Sequence, residues 1–341
     1  MLIVNDNQEK KSGWRWGVNR WIVLALIIAN VVFTGIYVPL RPHIALPAEP
    51  VIETPLFTLP VIGAFYFTNT MTVILISDVL LLLMAYGVYR SVKSGNLVPK
   101  GFSGAVEALL EALYNMTEGT AGKWAKTIFP WFASITLLVL LANWAELIPG
   151  IDALGWFNPH HVANFEEICT QTQIGPFVAI GATVSGPEAN ECAGAIIPWF
   201  RSTSTDLNFT LSLALAAVIA VQVIGVRAQG ASYFTKFWNT KTFFSKPIFG
   251  VIDFVVGFLE LISEFSKILS FTFRLFGNIF AGSVLLFVMG SLLSRVAFFQ
   301  VAFLMLEFFV GLIQALVFGL LTMTFMAQAT QGHGEHEEAH A

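Results

Sequence analysis

Long apolar runs alternate along this chain with short polar stretches. They predict membrane helices at about 21–40, 69–89, 130–148, 207–226, 250–292 and 297–327. About 20 apolar residues suffice to cross a hydrocarbon core of about 30 Å. Between the second and third runs, Phe102, Val106, Leu109, Leu110 and Leu113 recur at helical spacing, with Glu107 and Glu111 between them. That pattern predicts an amphipathic helix over 102–118, either lying at the inner membrane interface or packed on the bundle as a loop helix.

The last two segments carry the most unusual polar pattern. Residues 250–292 contain no proline and no long polar break. As one helix they would run about 65 Å, roughly twice the hydrocarbon thickness, so the helix must bend, leave the membrane or lie steeply tilted. Glu260, Ser263, Glu264, Lys267, Ser270, Arg274 and Asn278 step by three or four and form one stripe. Gln300, Glu307, Gly311 and Gln314 likewise share a face of the next segment. Two antiparallel helices with such stripes can line one aqueous or protonic path, or they can merely hydrogen-bond across the pair and hold it together. Gly277, Ala281, Gly282 and Gly290 give the first helix a small-residue surface that suits a close static contact as well as a moving partner.

Arg274 stands out within this pattern. It lies in SFTFRLFGNIFAG, with no acidic residue within nine positions on either side. Its charge is permanent, and a charge at membrane depth costs about 3 kcal/mol or more. A charge kept at that cost points to an ion path, a counter-ion or a voltage sensor. Glu307, in LMLEFFVGLIQ, is a carboxyl group deep in an apolar helix. Such a group is neutral or paired.

Composition gives the same class. The chain has 341 residues, is 56% hydrophobic and 12% charged, and contains 32 Phe. Soluble domains average about 45–50% apolar and about 25% charged residues. The chain reads as an all-α integral membrane protein with about six membrane helices. The net charge of −4 says little about partners, and nothing suggests nucleic-acid binding.

Charge placement says more. With the N-terminus inside, the inner segments hold Lys10, Lys11, Arg15, Arg20, Arg90, Lys93, Lys100, Lys123, Lys126, Arg227, Lys236, Lys241 and Lys246. The outer segments hold Arg41, Arg201 and Arg295. This bias puts both termini inside and residues 149–206 outside. The first run reads as a retained anchor or as a signal peptide; it is longer than the usual h-region and no clean cleavage site follows it. The outer segment holds the only cysteines, Cys169 and Cys192, which can form a disulfide in an oxidising exterior or remain free thiols.

These residues resemble one family. SFTFRLFGNIFAG followed by LIQALVFGLLTMTF is similar to the a subunit of the rotary F-type ATP synthase. TSTDLNFTLSLAL, from Thr203 to Leu215, resembles the family's segment before its next-to-last hairpin. NWAELIPGID, from Asn143 to Asp152, resembles the outer end of an earlier span. The similarity covers roughly residues 65–150 and 200–328.

The resemblance implies a proton-conducting stator. Protons enter one half-channel, load a carboxylate on a rotating ring of c subunits, and leave by an offset half-channel after the ring has turned. Arg274 matches the family arginine between the half-channels. It favours the ionised rotor carboxylate and blocks a direct leak. Asn278 and Gln314 match positions toward the outer half-channel. Glu260, Ser263 and Lys267 match the inner side. Glu146 and Asp206 match polar positions near the outer ends of earlier helices. Apart from the resemblance, Asp78 lies about nine residues into its span from the outside, and reads either as a further proton-relay group for outer access or as a carboxyl paired within the bundle.

Some members carry a glutamate five residues after Asn278 and a histidine seven before Gln314. Here those positions hold Ser283 and Glu307. The outer relay role therefore passes to Glu307, with Ser283 able to join through water. The resemblance also implies that the long striped helix belongs to a steeply tilted C-terminal hairpin against the ring. The partners it implies are the c ring, the b subunits of the peripheral stalk, the rest of the F1F0 complex and membrane lipid. The location it implies is a bacterial inner or plasma membrane, with both termini cytoplasmic.

The chain divides on this reading into five parts. Residues 1–64 form an N-terminal segment with an extra span and outer loop, and 65–149 hold two spans and the interfacial helix. Residues 150–206 form the extracytoplasmic loop, and 207–328 hold the channel helices and the hairpin. Residues 329–341 form a cytoplasmic tail whose His333, His336 and His340 suit a solvated tail or a weak metal-binding tract.

No P-loop GxxxxGK[ST] occurs, so nucleotide chemistry belongs to another polypeptide, and no cofactor or metal is expected. A secondary transporter using Arg274 and Glu307 is the alternative, against which stand the lack of a repeat and of proline between 248 and 341. A voltage sensor would carry several arginines at regular spacing. A purely structural scaffold would leave Arg274 without a reason.

Overall fold

In hydrocarbon every backbone polar group must be satisfied within the protein, so apolar segments of this length become helices unless they close into a barrel. The computed structural model describes residues 16–36, 48–52, 54–60, 63–93, 101–148, 154–157, 165–174, 177–182, 192, 196–237, 247–292 and 297–331. The helices are α1 (Trp16–Ile36), α2 (Asn69–Lys93), α3 (Phe102–Ala121), α4 (Ala125–Ala145), the short α5 (Phe165–Ile168), α6 (Leu207–Gln229), α7 (Pro247–Leu292) and α8 (Ala297–Thr330). Five stretches within 69–330 are long and apolar enough to cross a membrane. The His-rich tail from residue 332 lies outside the described residues.

Helices α4, α6, α7 and α8 share one core. Ile135 and Val139 of α4 meet Leu213, Ala214 and Ala217 of α6, Phe271, Leu275 and Ile279 of α7, and Ala315 and Phe318 of α8. A second cluster toward the lysine-rich end adds Leu113 of α3 to Ile128, Phe132, Ile224 and Met326. Phe132, Phe318, Ile128, Ile224, Leu275 and Met326 are fully buried. Hydroxyls inside the helices turn back on their own backbone: Thr117, Thr272, Thr322 and Thr324 each donate to the carbonyl four residues earlier. That satisfies them without water.

The starts of α4 and α1 move most from the expected boundaries. Helix α4 begins at Ala125 and carries Pro130 inside it, although the proline marks the start of the apolar run. A one-residue break in the hydrogen-bond ladder is tolerated when neighbouring helices hold the backbone in place. Helix α1 begins at Trp16 rather than near residue 21, and residues 37–40 lie outside the described ones.

Helix α3 is amphipathic and runs through a 3-10 turn, Gly122–Trp124, into α4. Val106, Leu113 and Thr117 are buried, Phe102, Leu109 and Met116 are exposed beside them, and Glu107, Glu111 and Glu118 occupy the opposite side. The helix thus packs on the bundle by one edge of its apolar arc and leaves the other edge for lipid.

Helix α7 has 46 residues and α8 has 34. At 1.5 Å per residue α7 is about 69 Å long, so it lies strongly inclined if it stays within the bilayer. The two helices run antiparallel: Phe271 packs on Phe318 and Phe325, Asn278 bonds Gln314, and Gly290 lies against Gln300.

The segments between the long helices add small ladders that their polar, Gly- and Pro-rich sequence does not announce. β1 (Phe57–Leu59) pairs with β2 (Gly63–Phe65), β3 (Gly155–Phe157) with β6 (Ile196–Pro198), and β4 (Cys169–Ile174) with β5 (Phe177–Ala182), all antiparallel. Cys169 and Cys192 are joined in a disulfide.

Candidate functional site

A stripe of polar residues on one helix matters only if tertiary packing gives each member a neighbour. Arg274 lies exposed on α7, and its guanidinium donates to Ser270 Oγ at 3.3 Å, one turn away. Among the described residues no carboxylate forms an ion pair with it. The arrangement on its two sides differs.

Toward the lysine-rich end, the groups are charged and paired. Lys236, in the 3-10 segment Gly230–Lys236 after α6, pairs with Glu260 at 2.5 Å and with Glu264 Oε1 at 3.2 Å. Lys267 reaches the same oxygen of Glu264 at 2.9 Å and stands 4.8 Å from the centre of the Phe325 ring on α8. Beside this network an open cleft of about 580 Å³ is lined by Leu259, Ile262, Ser263, Ser266, Lys267, Ser270 and Phe325. Ser270, the hydrogen-bond partner of Arg274, lies at its upper limit. The structure thus brings Glu260, Ser263 and Lys267 together below the arginine.

Toward the opposite end, the polar groups are mostly uncharged; Ser283, Glu307 and Gln314 are buried, Glu146 is half-buried and Asn278 is exposed. Asn278 Nδ2 donates to Gln314 Oε1 at 2.7 Å across the hairpin. Ser283, buried on α7, donates to both carboxylate oxygens of Glu146, at 3.2 and 3.4 Å. Glu307 is buried on α8, and its carboxyl group fills the space that a side chain at Gly282 would need. It is therefore Gly282 that faces Glu307 directly, while Ser283 turns to α4.

Behind them, Asn143 donates to the carbonyl of Gly311 at 3.3 Å and accepts from Ser204 Oγ at 2.5 Å. Trp144 stacks on Phe308 and donates to its carbonyl oxygen. Asp206 caps α6 by accepting from the Asn208 amide at 2.9 Å, and it accepts from Thr70 Oγ1 of α2 at 3.2 Å. Around this cluster Asn69, Ser202, Thr203 and the amide nitrogen of Gln314 have buried polar atoms with no hydrogen-bond partner among the described residues. Asp78 stands apart, exposed on α2, which packs on α3, α4 and the turn before α6.

Several members of the site are not singled out by sequence reading. Asn143 and Ser204 lie inside the NWAELIPGID and TSTD motifs, which is the signal that could have flagged them. Lys236, Asn69 and Thr70 lie at helix ends, where a polar residue is ordinary. Among the described residues no three His, Cys, Asp or Glu side chains are arranged to hold a metal ion.

Comparison with known proteins follows the same residues. The chain matches the family model described as ATP synthase A chain over residues 70–327. Among curated relatives, ATP synthase subunit a of Helicobacter pylori (strain Shi470) is 27% identical over 264 residues, covering 76% of this chain and 90% of that protein. ATP synthase subunit a of Helicobacter acinonychis (strain Sheeba) is 28% identical over 264 residues, with the same coverage of 76% and 90%. ATP synthase subunit a of Campylobacter jejuni subsp. jejuni (serotype O:23/36, strain 81-176) is 27% identical over 247 residues, covering 71% of this chain and 83% of that protein.

Proposed function

The chain belongs to the ATP synthase A chain family, and from that premise we propose that it conducts protons as the stator of a rotary F-type ATP synthase, through two offset half-channels parted by Arg274. The observation that carries the reading is the position of that arginine. It is exposed, has no carboxylate partner among the described residues, and stands between a charged open cleft and a partly buried polar cluster. A permanent charge without a carboxylate partner among the described residues fits one that meets its counter-ion on another chain, here the rotor carboxylates of the c ring.

The outer half-channel on this reading runs past Asp206, Thr70, Asn143 and Ser204 to Glu146, Ser283 and Glu307, then to Gln314 and Asn278. The buried polar atoms that lack protein partners support it, because such groups are normally satisfied by internal water and a chain of waters passes protons. Glu307 is the relay carboxyl. The inner half-channel is the cleft lined by Ser263, Ser266, Lys267 and Ser270. Asp78, outside both clusters, is at most an outer access group.

The chain is a multi-pass membrane subunit with its termini on the cytoplasmic side of a bacterial plasma membrane. It works with the c ring and the b subunits in the F1F0 complex, and ATP chemistry belongs to other subunits. Each proton crossing 100 mV supplies about 2.3 kcal/mol, so several transfers per turn can drive synthesis of a phosphoanhydride.

Arg274→Ala tests the reading. The complex is expected to assemble, with ATP synthesis and ATP-driven proton pumping lost in reconstituted vesicles. Pumping at the wild-type rate would overturn the assignment.

A further inference from the structure

The inner end holds a contact that the half-channel reading does not use. After α6 the chain turns through Gly230–Lys236, and this turn is wedged between two helices. On α6, Gly225 leaves room for the Tyr233 ring, which a side chain at that position would strike. On α7, Gly257 lies against the backbone carbonyl of Phe237, again where no side chain fits. Tyr233 is buried, and its hydroxyl donates to Gln222 Oε1 of α6 at 2.8 Å.

From this wedge Lys236 reaches α7 and bonds both Glu260 and Glu264. Glu264 in turn holds Lys267, which lines the inner cleft and lies over Phe325 of α8. Two cations and two carboxylates thus form one partly buried network joining the turn, α7 and α8.

We propose that Lys236 is a positioning residue for the inner proton route: it latches the turn onto α7 and, through Glu264, fixes Lys267 on the wall of the cleft. The proposal rests on the half-channel reading. Its charge balance gives the reason. The titratable groups facing Lys236 are Tyr233 from its own turn and Glu260 and Glu264 from α7, with Lys267 beyond Glu264. With Lys236 in place the network is neutral in formal charge. Without it the cleft gains one net negative charge and Glu260 loses its partner. A partly buried pair that loses one member leaves the other charge uncompensated, and the side chains around it move. Lys267 then loses its fixed place beside the route.

The test uses the whole complex in vesicles, with ATP-driven pumping measured against the pH of each face separately. Lys236→Met is expected to slow pumping about tenfold, less than the roughly hundredfold that a misplacement of about 1 Å can cost at a reacting centre. It is also expected to alter the dependence on inner-face pH, with the outer-face dependence unchanged. Lys236→Arg keeps the charge and is expected to restore both rate and inner-face profile. Gly257→Ala, which displaces the turn without altering charge, is expected to slow pumping too.

Wild-type rate and profile in Lys236→Met would overturn the proposal. So would an Arg variant that assembles yet behaves as the Met variant, and so would failure of both Lys236 variants to assemble, which would make the contact one of folding alone. Pumping by Arg274→Ala would sink the half-channel reading itself, whatever the Lys236 variants do.

Discussion

The two sides of Arg274 solve the same problem with opposite means. On the lysine-rich side, the proposed inner one, charged groups neutralise one another in pairs, and the cleft beside them opens widely. On the outer side, hydroxyl and amide groups join in short hydrogen bonds inside the bundle, with two carboxyl groups, Glu146 and Glu307, set among them. An open cleft can be lined by full charges because solvent screens them. A buried path cannot, because each unpaired charge there pays its full desolvation cost. On the proposed route, a proton crossing the outer side therefore needs a carboxyl group that can be neutral, together with neutral hydrogen-bonding groups. The inner side needs only a wall whose charges are balanced.

That contrast is broken most directly at Glu307. Glu307→Gln keeps the shape of the side chain and removes its ability to carry a proton. Proton uptake from the outer face is expected to fall about a hundredfold, the lower range of what a positioned proton carrier contributes. Release at the inner face is expected to keep its own pH dependence. Passive and ATP-driven flux in vesicles over a broad pH range measures both. Wild-type flux throughout would remove Glu307 from the path and leave the outer cluster as packing.

How much of this was legible in the sequence depended on where a residue sits. Arg274, Asn278, Glu307 and Gln314 are polar residues within apolar helices, where each costs free energy, so their mere presence is a signal. Their spacing also puts them on the stripes that meet across the hairpin, as the Asn278–Gln314 bond shows. The Glu146–Ser283 bond joins residues 137 positions apart, and no local pattern encodes it. Lys236 was visible only as one more positive charge at an inner end. Its role depends on the turn that delivers it and on the gaps left by Gly225 and Gly257. The start of α4 was set too late because Pro130 reads as a helix start, whereas the helix passes through it. The ladders outside the membrane were hidden because their strands are three to six residues long and lie among turn residues.

A smaller perturbation sharpens the comparison by acting on shape alone. Gly282 is the surface against which the Glu307 carboxyl rests. Gly282→Ala puts a methyl group into that contact, so the carboxyl group must swing away or the hairpin must open. Overpacking of this kind costs about 1–3 kcal/mol. The expected outcome is an assembled complex with slowed uptake at the outer face and unchanged response to inner-face pH. The same substitution at Gly277, where an added methyl group meets nothing within 4 Å among the described residues, tests a different contact. If Gly277→Ala is impaired while the subunit itself is intact, the space there belongs to a partner.

The smallest effect on proton flow is expected farthest from Arg274. Cys169 and Cys192, 23 positions apart, close a loop around the β4–β5 hairpin. A crosslink of that span stabilises the folded loop by about 3 kcal/mol, mainly by restricting the unfolded chain. The hairpin pairs with itself, and neither cysteine is among the described groups that line the cleft or bond in the polar cluster. Replacing both cysteines with serine should therefore make the outer loop more sensitive to protease while leaving pumping rate and both pH profiles within about twofold of wild type, a change of less than 1 kcal/mol in barrier. Thiol labelling before and after reduction checks the bridge independently: labelling that does not rise on reduction would show free thiols. A large loss of outer-side uptake in the serine variant would place the loop within the outer path, and the boundary between buried route and extramembrane loop would have to be redrawn at the hairpin.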